Sequence, residues 1–257
     1  MRVLVGGLML LTGSLAGAPL AAGDMPAGFK EVGQLARVRY FAPAESRPGR
    51  RERDAVRRTD EYLARLEVRL GQRLAQPIEY LRHERPEDIA VRVGVYATGL
   101  TRIGDDVVHS TLDFHPHELV HAVAGHLGNP GRMFHEGLAV AIGDEGRWGG
   151  HGVHEMARAY AQGQSWRSLN TVFDRLHPDV AYPLAGSFVL QLIENEGEQR
   201  LISFFRECGS DPVKAPVAFR TVYGYSLEQA VARWQRRVLD RERPGTQSMP
   251  VLVAALD

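Results

Sequence analysis

The chain has 257 residues, of which 44% are hydrophobic, and this is enough for one large domain or two packed subdomains with a real core. Its formal net charge is zero, which argues against a nucleic-acid partner or an anionic membrane, since either would require a basic face. The single cysteine, Cys208, excludes an internal disulfide. It follows two phenylalanines on a predicted helix, so we interpret it as a buried hydrophobic residue rather than a nucleophile.

Residues 1–23 are typical of a signal peptide. Arg2 supplies the positive end, residues 3–11 form an apolar stretch, and small residues precede the expected cleavage after Ala22 or Gly23. This pattern predicts a periplasmic or secreted protein. The alternative is an uncleaved anchor, because about 20 apolar residues can span a bilayer. Only in that case would the protein be attached to a membrane.

Residues 24–114 are predicted to form a small mixed α/β subdomain with a β-sheet. Apolar and polar residues alternate over 34–41, which is typical of a strand. Residues 50–72 carry apolar side chains at helical spacing among many charges, which predicts an amphipathic helix that faces solvent. Further strands are predicted at 78–81, 95–98 and 107–112, and a short helix or turn at 86–93.

The most informative motif is His-Glu-Leu-Val-His at residues 117–121, which Glu136 follows fifteen residues later. On a helix, His117 and His121 project from the same face. Two neutral imidazoles placed in this way can bind one zinc ion, and Glu136 on a second helix would be the third ligand. Three protein ligands leave a coordination position open, as in catalytic zinc sites. Glu118 is rotated around the helix, where it can take a proton from a metal-bound water.

The sequence around the motif predicts a helical hairpin. Pro116 suits a first helical position, and the following residues are compatible with a helix and mostly apolar. Gly and Pro residues at 128–131 break the chain, and residues 133–142 predict a second buried helix that carries Glu136. The alternative is a pair of surface or hydrogen-bonded core histidines on an ordinary helix.

The chain from 115 to 240 is predicted to be mainly helical, which gives an α+β fold with the metal site at the junction of two subdomains near residue 114. The stripe of apolar residues in the last helix places Trp234 in the core. Residues 241–257 form a C-terminal tail, either loose or added as a strand elsewhere. Beyond the hairpin, helices are predicted near 152–162, 167–175, 182–195, 197–208, 212–222 and 226–240.

The HExxH motif, followed by Glu-Gly-Leu-Ala at 136–139, resembles the gluzincin zinc peptidases, specifically the small peptidase-MA-like group. The resemblance covers roughly residues 30–240, with its specific part between 117 and 190. It implies a zincin-type helical subdomain and a tyrosine near the start of the next helix. Tyr182 is therefore expected to stabilise the oxyanion, the alternative being a tyrosine that packs on the core. It also implies an edge strand, Val107–Thr111, that pairs with an extended substrate; the alternative is an ordinary structural edge.

These expectations define the predicted activity. The resemblance implies a zinc-dependent metallopeptidase with one Zn²⁺ per chain and a peptide or protein as substrate, and the predicted signal peptide places it in the cell envelope or extracellular space. The alternative is a catalytically silent, metal-stabilised binding or assembly module of the same fold, and a metal hydrolase of non-peptide amides is a weaker third option. Glu118 favours catalysis, because a silent module has no need of that carboxylate. The oligomeric state stays open.

Other histidines and carboxylates lie near the motif. His126 is five residues past His121 and points about 140° away from that face, so a solvated position at the helix end is favoured. The remaining histidines nearby are His115, His135, His151 and His154. For the last two, ordinary surface positions are favoured, the alternative being that they rim the cleft. Possible partners for the ligand imidazoles are Asp113, Asp144 and Glu145, and none of them is assigned to the site.

Overall fold

The structure is a computed structural model that describes residues 25–161, 169 and 173–240. The predicted signal peptide at 1–23 and the tail at 241–257 lie outside the described residues, as does most of the helix predicted at 167–175. The α+β prediction is confirmed, because a five-stranded mixed sheet near the N-terminus precedes a helical C-terminal part. The exact subdomain boundary near 114 stays a prediction.

The sheet has the strand order β1-β2-β3-β5-β4. Strands β2, β3 and β5 are parallel neighbours, whereas β1 and β4 pair antiparallel on the two outer sides. The chain reaches each parallel neighbour through a helical crossover, as parallel pairing requires. The strands are β1 (Phe29–Gln34), β2 (Val38–Pro43), β3 (Ile78–Arg82), β4 (Gly99–Thr101) and β5 (Val107–Ser110).

Three strand predictions are corrected by this topology. The strand predicted at 34–41 is instead parts of β1 and β2, which form a hairpin around residues 35–37. The strand predicted at 95–98 lies slightly later, at Gly99–Thr101. The expected edge strand Val107–Thr111 is wrong as an edge, because β5 is enclosed between β3 and β4. The chain turns back between β4 and β5, so β4 is the sheet edge beside the helix that carries His117 and His121.

Nine helices of the described residues surround the sheet and build the C-terminal part. The first, α1, buries its leucine face, including Leu63, Leu66 and Leu70, and ends at Gly71 in the left-handed conformation. The helices are α1 (Arg50–Leu70), α2 (Pro86–Val93), α3 (Pro116–Ala124), α4 (Arg132–Leu138), α5 (Val153–Ala161), α6 (Pro178–Glu196), α7 (Glu198–Cys208), α8 (Ala215–Tyr223) and α9 (Leu227–Asp240). Shorter elements are a π-helical turn (Ala139–Gly143), two 3₁₀ turns (Phe173–Arg175 and Pro212–Lys214) and the hairpin strands β6 (Arg147–Trp148) and β7 (His151–Gly152).

The core of the helical part is aromatic. Phe134 on α4 packs against Phe188 and Phe204, which anchors the second helix of the predicted hairpin. Trp234 is fully buried and its indole nitrogen donates to Ser187 Oγ at 2.9 Å, so its predicted core position is confirmed. Cys208 is buried as expected. The helix predicted from 182 begins four residues earlier, at Pro178. Within the described ranges, no helix combines the length and apolar character needed to cross a membrane.

Candidate metal centre

The predicted helical hairpin is present as α3 and α4, and both helices are buried. Pro116 occupies the first turn of α3, where its missing N–H costs no hydrogen bond. Helix α4 lies directly against α6, because a Cβ at Gly137 would come within 2.7 Å of the Ala185 carbonyl oxygen. The glycine therefore permits the close packing that fixes the position of Glu136.

The three predicted ligands converge. Glu136 Oε2 lies 3.3 Å from Nε2 of His117 and 3.3 Å from Nε2 of His121. Ligands at about 2.0–2.1 Å from a tetrahedral zinc are separated by about 3.3 Å, so the spacing fits such an ion. All three residues are buried, and their ligand atoms lie within 4.8 Å of one another. The buried triad could therefore hold a metal ion.

The protonation of this cluster follows from its contacts. Burial opposes a charge on His117, but hydrogen bonds to Asp144 and Glu136 raise its pKa well above the ordinary value. Burial likewise opposes ionisation of Glu136, but hydrogen bonds from both imidazoles hold its pKa well below the ordinary value. Both shifts favour a positive charge beside the Glu136 carboxylate, and a metal cation at this position would supply such a charge.

Asp144 is a partner of the metal site that sequence reasoning left unassigned. Its Oδ2 lies 2.7 Å from Nδ1 of His117, which leaves Nε2 of that ring for a metal. The π-helical turn after α4 brings Asp144 to this position. A Cβ at Gly143 would lie 2.9 Å from the His117 Cα, so only glycine permits this approach. The other two candidates are elsewhere, since Asp113 pairs with Arg82 and Glu145 is exposed.

Glu118 lies beside the triad without belonging to it. Its side chain is buried, burial raises its pKa, and its Oε2 has no hydrogen-bond partner in the described part of the chain. The backbone of β4 passes directly over this carboxylate, because a Cβ at Gly99 would lie 2.6 Å from Glu118 Oε1. Thr101 on the same strand donates to the Glu118 carbonyl oxygen at 3.2 Å. The carboxylate is thus held close to the centre, with one oxygen free.

A cleft of roughly 230 Å³ opens over the triad. One side is formed by β4 and by the residues that follow β5, including Leu100 and Leu112, and Trp148 and Tyr182 contribute aromatic surface. His115 also lines the cleft, and burial lowers its pKa to about 3, so the ring is neutral. The cleft combines a mostly apolar wall with a few polar groups, as ligand sites usually do.

Tyr182 reaches the metal centre through Glu136. Its hydroxyl donates to Glu136 Oε1 at 3.2 Å and accepts from Arg132 at 3.2 Å. Burial raises the pKa of Tyr182, so the hydroxyl keeps its proton. Nε of Arg132 lies 3.5 Å from Glu136 Oε1, and its guanidinium group also pairs with Asp174. Arg132 was not predicted from the sequence as part of the site. The i,i+4 spacing of Arg132 and Glu136 on α4 could have indicated it.

The other histidines do not join the triad. His126 pairs with Asp106 at 2.8 Å, at the end of α3 where the sequence placed it. His151 is exposed, and His154 approaches Ser187 Oγ at 2.8 Å. His135 is buried beside the centre, and burial lowers its pKa to about 3, so its ring is neutral.

No protein-family model matches the chain, and neither a curated protein nor a solved structure matches it.

Proposed function

We propose that the protein is a zinc-dependent peptide-bond hydrolase with a gluzincin-type site on a zincin-type helical subdomain, acting in the periplasm or outside the cell. The observation that carries this proposal is the buried triad of His117, His121 and Glu136, with two ligand separations of 3.3 Å and the Glu118 carboxylate beside it. Two imidazoles and one carboxylate are the ligand set of several hydrolytic zinc sites. When bound, zinc would lower the pKa of a water ligand toward neutrality and polarise a carbonyl group.

Glu118 is the proposed general base. It accepts a proton from the attacking water and later delivers that proton to the leaving amine. Burial raises its pKa, and a raised pKa makes the carboxylate a stronger base near neutral pH. The second oxygen of this buried carboxyl group has no partner in the described residues, and an unsatisfied buried oxygen costs free energy. Such a cost is expected of a reacting group rather than of a purely structural one, which favours catalysis over a silent module.

Strand β4 is the proposed docking edge for a peptide. Thr111 N donates to Thr98 O at 2.8 Å, so the backbone of Thr98 faces β5. Successive residues of a strand alternate direction, so the N–H and C=O groups of Gly99 and Thr101 face the open side. An extended peptide can add to this edge by main-chain hydrogen bonds. Tyr182 is a proposed donor to the carbonyl oxygen of the scissile bond, a role that requires its hydroxyl to leave Glu136 Oε1.

The test combines metal analysis with turnover in the mature protein. Purified wild-type protein is expected to contain close to one zinc per chain and to cleave dye-labelled casein or members of a quenched-peptide library. Glu118→Gln should keep the zinc and lose turnover by a factor on the order of 10² to 10⁴. Glu145→Gln is the matched control, because it removes an exposed carboxylate close to the site.

Three results would contradict the proposal. Turnover that survives in Glu118→Gln would refute the assigned base. A wild-type protein that takes up no zinc on titration would refute the metal centre. Zinc bound at one per chain without any peptide cleavage would favour the silent binding or assembly module.

A further inference from the structure

His115 is a cleft residue to which the proposed mechanism gives no task. It immediately precedes α3, and its ring lies against the backbone of β4, because a Cβ at Gly99 would lie 2.4 Å from His115 Cε1. The same Cβ would also meet the Glu118 carboxylate, so the imidazole and the proposed base share one contact surface on β4. The ring is therefore held next to the reacting groups rather than on a remote wall.

The orientation of the ring is fixed by Ser110. Nδ1 of His115 lies 2.9 Å from Ser110 Oγ, and the same oxygen accepts from Leu112 N at 3.0 Å. Ser110 is fully buried, so this arrangement is sheltered from solvent. Because one lone pair of Oγ is used by the Leu112 N–H, the hydroxyl proton can point to Nδ1. In a neutral ring, Nδ1 then accepts and Nε2 carries the hydrogen.

Nε2 of His115 is open to the cleft. None of the hydrogen bonds among residues 25–161 and 173–240 uses this atom. It also does not belong to the side-chain atoms that are buried without a hydrogen-bond partner, so it is accessible from the cleft. The hydroxyl of Tyr182, by contrast, already donates to Glu136 Oε1. To serve an oxyanion, Tyr182 would have to give up that bond, whereas His115 would give up only contact with solvent.

We infer that His115 is a catalytic residue whose Nε2–H donates a hydrogen bond to the carbonyl oxygen of the scissile peptide bond. This inference rests on the proposed function. As the water oxygen bonds to the carbonyl carbon, the electron pair of the C=O π bond moves to the carbonyl oxygen. The Nε2–H stabilises that charge and keeps its proton, so the water's proton still goes to Glu118 and then to the leaving amine. The pair returns when the C–N bond breaks.

The test compares two substitutions of His115 whose amide groups replace different ring nitrogens. Gln places an amide N–H near the position of Nε2, whereas Asn places its amide near Nδ1. His115→Asn is expected to lower kcat on quenched peptides by a factor on the order of 10² to 10³, with little change in KM. His115→Gln should recover most of that loss. His126→Gln, which changes the other histidine flanking the motif outside the cleft, should leave kcat unchanged.

Three measurements besides activity complete the test. Zinc content and thermal unfolding should match the wild type, which separates a lost donor from a damaged site. ¹⁵N NMR of the zinc-loaded protein should show the proton of His115 on Nε2. A proton on Nδ1, or a kcat of His115→Asn within threefold of the wild type, would overturn the inference. A wild-type protein without turnover on any peptide would instead overturn the proposed function, and this inference with it.

Discussion

Asp144 provides the sharpest test of how this centre is built. Its contact with His117 at 2.7 Å orients the imidazole and increases its basicity. Loss of such a partner typically costs about 10- to 100-fold in metal affinity. The side chain of Asp144 is 29% exposed, so water can take its place in Asp144→Ala. We therefore expect a loss of about tenfold in zinc affinity, or about 1.4 kcal/mol. Asp144→Asn keeps an acceptor without the charge and should lose about threefold.

The assay is competition for zinc between each variant and a chromogenic chelator at fixed pH. Glu145→Gln is the control, since it removes the neighbouring carboxylate, which is exposed and lies outside the triad. An Asp144→Ala variant that binds zinc within twofold of the wild type would refute the reasoning. An equal loss in Glu145→Gln would also refute it, because general charge near the site would then explain the effect.

Three further outcomes are expected. The hydrogen bond to Asp106 raises the pKa of His126. The stabilisation of the folded state by this pair is therefore fully present below pH 6.5 and is lost as the pH rises through the raised pKa. His126→Gln should thus cost up to about 1 kcal/mol in urea unfolding at pH 6 and less at pH 8; an equal cost at both would contradict this. Gly99→Ala should reduce peptide turnover at unchanged zinc content, because its Cβ displaces Glu118; full activity would show that β4 can move away freely. Trp234→Phe leaves a cavity and removes a buried hydrogen bond, so the free energy of unfolding should fall by about 2–3 kcal/mol. A decrease below about 0.5 kcal/mol would contradict the described packing of Trp234.

The convergence of the three candidate ligands could be predicted because their geometry is mostly local. The spacing of His117 and His121 places both rings on one face of any α-helix. A short break after the helix then brings the next helix back, so Glu136 reaches the two imidazoles. The convergence of the three side chains needs only this hairpin, and the structure brings them together as expected.

The edge position of β4 and the contact between Asp144 and His117 could not be predicted, because neither follows from a regular helix or strand period. The edge position of β4 follows from the order in which strands pair, which alternation of apolar residues does not encode. Asp144 reaches His117 through a π-helical turn, and such turns break the 3.6-residue period from which helix faces are inferred. Gly143, which permits the contact, was the one sequence feature that indicated an interruption, although not its geometry.

The metal centre is confined to a single stretch of the chain. The residues from His117 to Asp144 contain all three ligands and the carboxylate that orients one of them. Contacts that span so few residues form with a small loss of loop entropy, whereas the parallel pairing of β2 with β3 joins more distant segments, such as Val38 and Ile78. We therefore expect the ligand cluster to assemble earlier in folding than this strand pair. Under the proposed function, a chain that already binds metal would still have no substrate edge until β4 docks beside Glu118, so metal loading and catalytic competence would be separate stages in its maturation.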